Sequence, residues 1–353
     1  MSSRSSTTSS GPVTIYEVAK AAGVSIGTAS RVLNGGNKEV WASTAKRAER
    51  IRQIARELGY TPSWRGRTLA AKKTWTIGLI QTPYFPLCTG PYEAMLLALS
   101  DTLSRSNYHV TFVRMEHEDR QHPLLSQGLD GVIAYHVVPD NVIEALRTSA
   151  CPVVILNAVV SEPFPTVLAD DRQGAQLAAN YLHELGHRRV ITLSWISRPP
   201  YNLLPHFSTA CRREAFRERF IELDPRSVVQ PVEETEDRPM SHLIDEVRRL
   251  RATAIVVDTS DQALPLLHEL WQAGFRVPDQ ISVLSWNNLP WTRYSIPPLT
   301  VIETPMEQMG RVAAERLLTL IEKGDPNGHQ TESNVVLPEK LLIRSSTGRA
   351  VSS

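Results

Sequence analysis

Residues 14–34 read Thr-Ile-Tyr-Glu-Val-Ala-Lys-Ala-Ala-Gly-Val-Ser-Ile-Gly-Thr-Ala-Ser-Arg-Val-Leu-Asn, two short helix patterns joined by a Gly-Val-Ser turn. Thr14 followed three residues later by Glu17 is a capping box, and Ile15, Val18, Ala19 and Ala22 fall on one face at helical spacing. Gly23 stops this helix and Ser25 caps the next. In the second helix Ala29, Val32 and Leu33 turn inward, which leaves Ile26, Gly27, Ser30, Arg31 and Asn34 facing out. Two short helices around one tight turn, with a polar outer face on the second, is the pattern of a helix-turn-helix that lays its second helix in the DNA major groove.

Charge agrees with this reading. Residues 1–73 hold thirteen Lys or Arg against four Asp or Glu, a net of +9, in a chain whose total is +1. The remainder is therefore about −8. A basic head on an acidic body is the footprint of a nucleic-acid module joined to something else, because neutralising phosphates takes Lys and Arg on one surface.

Ahead of this stretch, Met1–Gly11 is rich in Ser and Thr and reads as a disordered tail (residues 1–12). Ser43–Leu58 carries Ala48, Ile51, Ile54, Ala55 and Leu58 at helical spacing, predicting a third helix that closes at Gly59 and completes an all-α head over 13–60. Residues 61–74 are short, basic and broken by Gly66, a poor helix in isolation and hence a hinge linker.

Beyond Trp75 the pattern becomes apolar runs separated by amphipathic helices: Ile77–Ile80, Val110–Val113, Gly131–Ala134, Val153–Leu156, Val190–Leu193, Ala254–Val257 and Ser282–Leu284. Such alternation predicts parallel sheets with helices on both faces. Seven strands are too many for one small sheet, so residues 75–348 divide into two α/β lobes, the first about 75–170 and 300–324, the second about 171–299 and 325–348. The chain crosses between them near Val167–Arg172 and Leu299–Thr304, and a cleft between lobes is where a small ligand sits. Cys88, Cys151 and Cys211 are few, distant and odd in number, which fits reduced packing residues. No apolar run reaches membrane length and the N-terminus lacks a signal peptide's apolar core, so a cytoplasmic protein with no membrane partner is expected.

The order of these parts, together with Val18-Ala19-x-x-Ala22-Gly23-Val24-Ser25, Ser30-Arg31-Val32-Leu33-Asn34, Glu57-Leu58-Gly59-Tyr60-x-Pro62, Leu185-Gly186-His187 and Pro298-Leu299-Thr300, resembles the lactose and galactose repressor family of bacterial transcription regulators. The resemblance covers nearly the whole chain. It implies a helix-turn-helix head on a two-lobed, periplasmic-binding-protein-like body, a homodimer on a palindromic double-stranded DNA operator, and control by a small effector, a sugar or sugar derivative, between the lobes.

Carried over by position, the resemblance implies that Tyr16, Ser25, Thr28, Ser30 and Asn34 touch the DNA backbone and that Arg31 reads guanine, as a bidentate donor to O6 and N7 does. Ile26 and Gly27 stand where family members vary to choose their operator. Both are apolar here, so the reading surface has little to offer beyond contact with a thymine methyl. Leu69 matches the hinge leucine that wedges into the minor groove. Trp64 and Gly66 replace the small alanines usual there.

For the effector, the resemblance singles out Asp171 and Arg212, with Phe216 four residues on, and Tyr92 at the start of the first lobe's first helix. Thr259-Ser260 and Asn287-Asn288 stand in place of Asn-Asp and Asp-Asp pairs that accept hydrogen bonds from sugar hydroxyls. A cleft that keeps Arg212 and loses carboxylates is expected to favour an anionic or less hydroxylated ligand. Trp195 and Trp286 are candidates for a stacking wall. The competing reading of Arg212 is an interlobe salt bridge to Asp171.

Enzymatic readings find no support. There is no Gly-rich phosphate loop, Gly-x-Ser-x-Gly elbow or His/Cys metal spacing, and neither a cofactor nor a metal is expected. His187 in its Leu-Gly-His turn reads as structural. Two rivals remain to the ligand-controlled repressor: an effector-independent regulator with a degenerate cleft, and a freestanding small-molecule binding protein.

Overall fold

The computed structural model describes residues 13–33, 42–61, 73–82, 90–115, 125, 128–149, 151–161, 164–195, 206–234, 240–324 and 334–351. It divides into two compact units, Met1–Thr74 and Trp75–Ser353.

Among the described residues the first unit contains three helices, α1 (Ile15–Ala22), α2 (Ile26–Leu33) and α3 (Ala42–Glu57). The Glu17 carboxylate accepts from the Thr14 backbone N–H at 2.7 Å and from the Thr14 hydroxyl at 3.0 Å. These bonds hold the Glu17 carboxyl below its ordinary range. Gly23 ends α1 at φ +66°, a left-handed conformation that favours glycine, and Val24 N–H closes back on the Ala19 carbonyl at 3.0 Å. The Ser25 hydroxyl then accepts from Thr28 N–H at 3.2 Å, capping α2. Val18, Val32, Ala48, Ile51 and Ala55 are the buried core between the three helices. Leu58, expected on the inner face of α3, is exposed instead, because the helix stops at Glu57 and Leu58 lies in the closing turn.

The second unit holds two six-stranded sheets. In the first, β1 (Thr76–Gln81), β2 (His109–Arg114), β3 (Gly131–Tyr135), β4 (Val153–Leu156), β5 (Thr166–Ala169) and β11 (Val335–Leu337) lie in the order β11-β5-β4-β3-β1-β2, all parallel. In the second, β6 (Arg189–Trp195), β7 (Val228–Glu234), β8 (Ala254–Val257), β9 (Ser282–Trp286), β10 (Thr300–Glu303) and β12 (Lys340–Leu342) lie in the order β12-β10-β9-β8-β6-β7. There β12 runs antiparallel to β10 and the rest are parallel. Helices α4 (Tyr92–Arg105), α5 (Asp140–Arg147), α6 (Asp171–Glu184), α7 (Phe207–Leu223), α8 (Met240–Leu250), α9 (Ser260–Gln272) and α10 (Met306–Lys323) cover both faces of each sheet. Four separate buried clusters result, two to a sheet, as a sheet apolar on both faces requires.

All seven strands read from the sequence are present, but the lobe boundaries differ near the C-terminal end. Residues 300–324 were expected in the first lobe and 325–348 in the second. Instead Thr300 pairs with Leu284 in the second sheet, and Val335 pairs with Val167 in the first. Only α10 of the earlier segment packs on the first lobe, against α4. The chain therefore crosses three times, at Ala169–Asp171, Glu303–Met306 and Leu337–Lys340. The third crossing escaped the sequence reading because β11 and β12 are three residues each, too short for a period to show.

Candidate DNA-reading surface and interlobe cleft

On the head, the side chains singled out for DNA stand on the outside of the first two helices. Tyr16 is 59% exposed and Ile26 49%, so Ile26 does not belong to the core. Ser25, Gly27 and Arg31 are exposed, and Thr28 and Ser30 half-buried. Ser25 and Thr28 hydroxyls lie 2.9 Å apart, and the Arg31 Nε–H is 3.4 Å from the Gly27 carbonyl. One surface thus presents an arginine fork, small hydroxyls and an apolar patch. Asn34, Trp64 and Leu69 lie outside the described residues.

In the body the second and third crossings, with the first turn of α6, converge on Arg212 of α7. Its Nε–H donates to Asp171 at 2.6 Å, and its two terminal nitrogens reach Thr304 at 3.3 Å, Glu339 at 3.4 Å and the Asp258 carbonyl at 3.4 Å. The guanidinium lies over the Trp286 ring at 5.3 Å. Asp171 also accepts from the Ser208 hydroxyl at 2.7 Å. Burial opposes the positive charge, but Asp171 and Glu339 outweigh it and raise the Arg212 pKa above its ordinary value. Asp171 belongs to α6 and Arg212 to α7, both in the second lobe, so their bridge lies within that lobe, not across the cleft.

Glu339 was not singled out in the sequence. Its carboxylate accepts from Thr304 Oγ1 at 2.7 Å and Trp286 Nε1 at 3.0 Å, while its backbone N–H is held by Gln173 at 3.0 Å. Burial pushes this carboxyl up, against the pull of Arg212. Every side-chain partner is a donor, which suits the ionised form. The expectation that Arg212 faces an anionic ligand therefore meets a different arrangement: two buried carboxylates already answer it. The signal in the sequence was one acidic residue inside Val335-Val336-Leu337-Pro338-Glu339-Lys340-Leu341-Leu342.

The other cleft candidates divide. Tyr92 is buried, its hydroxyl accepts from Asn157 at 3.4 Å, and it feels the charges of both Arg212 and Asp171. The Ser260 hydroxyl is spent on the Trp286 carbonyl at 2.7 Å and on that of Asn287, fixing the start of α9 to the end of β9. Thr259 is the residue before α9 and makes no side-chain cap. Asn287 is buried at φ +72°, with its side-chain oxygen lacking a partner among the described residues. Asn288 instead accepts from Arg344 at 2.6 Å and donates to Glu303 at 2.7 Å, a structural role. Trp286 is a buried wall, and Phe216 belongs to the core beneath the second sheet. The Trp195 side chain lies outside the description.

Histidines add a contact across the lobes. His206, at the N-terminus of α7, sits 2.8 Å from the Asn157 carbonyl after β4, and its ring packs at 4.7 Å from that of His136 after β3. Burial holds His206 at a pKa of about 4 and His136 well below its ordinary value. Burial likewise takes His187 to about 4, where it bridges Thr253 at 2.9 Å and the Gly348 carbonyl at 3.1 Å, a structural role as expected. Beside the network a cavity of about 580 Å³ opens between α4 and the β9–β10 ends, lined among others by Glu93, Asn287, Leu289, Glu303 and Thr304. Such a volume suits a small molecule at the carboxyl ends of parallel strands. Among the described residues no group of three metal-ligating side chains occurs and no helix is long and apolar enough to cross a membrane.

A helix-turn-helix head joined to a two-lobed α/β body with a cleft at the strand ends defines a class: regulators that read DNA with one unit and bind a small molecule with the other. Residues 14–63 match the model for bacterial regulatory proteins of the lacI family, and residues 179–347 match that for a periplasmic binding protein-like domain. The chain is 30% identical over 348 residues to catabolite control protein A of Priestia megaterium, covering 95% of this chain and 99% of that one. It is 28% identical to the HTH-type transcriptional repressor CytR of Escherichia coli K12, covering 95% of this chain and 96% of the repressor. The chain belongs to the lacI family of bacterial regulatory proteins. The fold is similar to the lac repressor dimer bound to operator and the anti-inducer ONPF, with a TM-score of 0.78 at 24% identity, over 96% of this chain and 100% of that one. It is also similar to the regulator CelR in complex with cellobiose, with a TM-score of 0.63 at 24% identity over 95% and 99%.

Proposed function

We propose that this chain is a cytoplasmic, non-enzymatic transcriptional repressor that binds a palindromic operator as a homodimer and answers to a small molecule held between its lobes. The observation that carries it is the exposed face of α2, where Arg31, Gly27 and Ile26 stand clear of the head's core. In this reading Arg31 supplies base recognition and Tyr16, Ser25, Thr28, Ser30 and Asn34 fix the register on the phosphates. Leu69 enters the minor groove at the operator centre. Tyr92, Asp171, Arg212, Thr259, Ser260 and Asn287 form or support the effector cleft. An effector acts by binding one lobe arrangement better than the other.

Dimerisation is supported by large apolar side chains left in water on the body. Leu264 and Trp271 share a face of α9 at 52% and 73% exposure, and Tyr294 and Ile296 follow at 77% and 92%. Selection of binding sites from random duplex DNA tests the function. Recovery of a two-fold symmetric site supports it; recovery of no sequence preference overturns it.

A further inference from the structure

We propose that Glu339 is a ligand carried by the chain itself: its carboxylate fills the anion seat of the interlobe cleft, and the small molecule the cleft accepts is neutral or cationic and rich in hydrogen-bond donors. The inference rests on the reading of this cleft as the effector site.

The seat is complete. Arg212 Nη2, Thr304 Oγ1 and Trp286 Nε1 converge on the two Glu339 oxygens at 3.4, 2.7 and 3.0 Å. A cation, a hydroxyl and an indole N–H around one carboxylate is how a protein recognises a free organic acid. The seat is also tailored to its occupant. Gly174 in the first turn of α6 leaves room for it, since a Cβ there would stand 1.7 Å from Glu339 Oε2.

With Glu339 in place, each guanidinium nitrogen of Arg212 has a protein partner: Asp171 on Nε, Asp258 carbonyl on Nη1, Thr304 and Glu339 on Nη2. Of the five guanidinium N–H groups, four are answered and one on Nη1 is left, so an incoming anion finds at most one donor there and meets two carboxylates held against one cation. What remains unanswered at the strand ends is of the opposite kind. Asn287 Oδ1 and Gln262 Oε1 are buried acceptors without partners among the described residues. Asp258 is a buried carboxyl. Across the lobes, Asp261 places a carboxylate oxygen 3.2 Å from where a Cβ on Gly90 would stand. Acceptors and carboxylates call for hydroxyls, amines or ring N–H groups, and their summed field repels phosphate and carboxylate.

The test removes the built-in carboxylate and offers it back. In full-length Glu339→Ala, thermal unfolding should fall by several degrees and recover in a saturable way on adding sodium propionate, against matched sodium chloride. Wild type should not respond to propionate, nor to D-glucose 6-phosphate. A saturable wild-type response to either, or an Ala variant that propionate fails to rescue, overturns the proposal. Should Glu339→Ala not fold, Glu339→Gln decides by charge. D-glucuronate should bind it at least tenfold more tightly than wild type in titration calorimetry, and equal affinity, or binding by neither, overturns the assignment. Salt-sensitive DNA binding by the same wild-type sample is read separately: its absence sinks the functional reading, whereas its presence with a failed rescue sinks the Glu339 assignment alone.

Discussion

Arg212 and Asp171 meet at 2.6 Å with both residues more than nine-tenths buried. Removing one partner of such a pair leaves the other charge desolvated, a cost of about 3–5 kcal/mol. Arg212→Ala should therefore lose stability on that scale in urea unfolding, with Asp171 and Glu339 left facing each other. A loss below about 1 kcal/mol, the range of an exposed pair, would contradict the burial described.

Base reading by Arg31 has a distinct signature. Arg31→Ala should weaken binding to the selected operator by about 1–3 kcal/mol while leaving binding to unrelated DNA, and its salt slope, nearly unchanged. Competition binding at several salt concentrations checks this. Equal losses on both DNAs would assign Arg31 to phosphate instead.

Titration of the buried groups of the body has a sign that follows from burial. His206 and His187 have folded pKa values of about 4, below the ordinary 6.5, so their contribution is present above pH 6.5 and is lost as pH falls toward 4. Asp258 runs the other way: at about 6 against 3.8 it holds its proton in the folded state, and stability from it falls as pH rises from 4 to 6. Between pH 4 and 6 the two histidines bind two more protons unfolded, and Asp258 binds one more folded, so these three groups give stability that rises with pH by a net one proton. Asp258→Asn should steepen that slope and His206→Asn should flatten it, measured as melting temperature against pH. A variant slope equal to wild type would exclude the group concerned.

Close helix packing gives a prediction free of charge. A Cβ on Gly310 in α10 would lie 2.0 Å from the Met95 carbonyl in α4, backbone that has no rotamer to give. Gly310→Ala should cost about 1–3 kcal/mol, as overpacked cores do, and thermal melts read it. In contrast Gly27→Ala, with open space around it, should leave stability within about 0.5 kcal/mol.

Trp271→Glu and Tyr294→Asp should shift the protein toward monomer in sedimentation at micromolar concentration, and weaken operator binding through lost dimer. An unchanged dimer would move the interface elsewhere.

The head was legible almost residue by residue, because its signals are local: Thr14 with Glu17, Gly23 at positive φ, Ser25 with Thr28. The seven long strands were legible from apolar runs. Glu339 was not, since its meaning comes from Arg212, 127 residues earlier, and from a crossing between two three-residue strands. Asp171 and Arg212 were singled out and do meet, yet that the chain supplies a second carboxylate to the same guanidinium depends on which strands pair, which no local pattern encodes.

The third crossing also has a consequence for biosynthesis. β11 closes the edge of one sheet and β12 the edge of the other, so both lobes keep an open, hydrogen-bonding edge until residues 335–342 have left the ribosome. The head's three helices are complete hundreds of residues earlier. During synthesis a chain with the elements of its DNA-reading surface already made would precede any body able to pair or to sense, and a message cut short upstream of β11 would yield a product with two sticky edges and no working cleft.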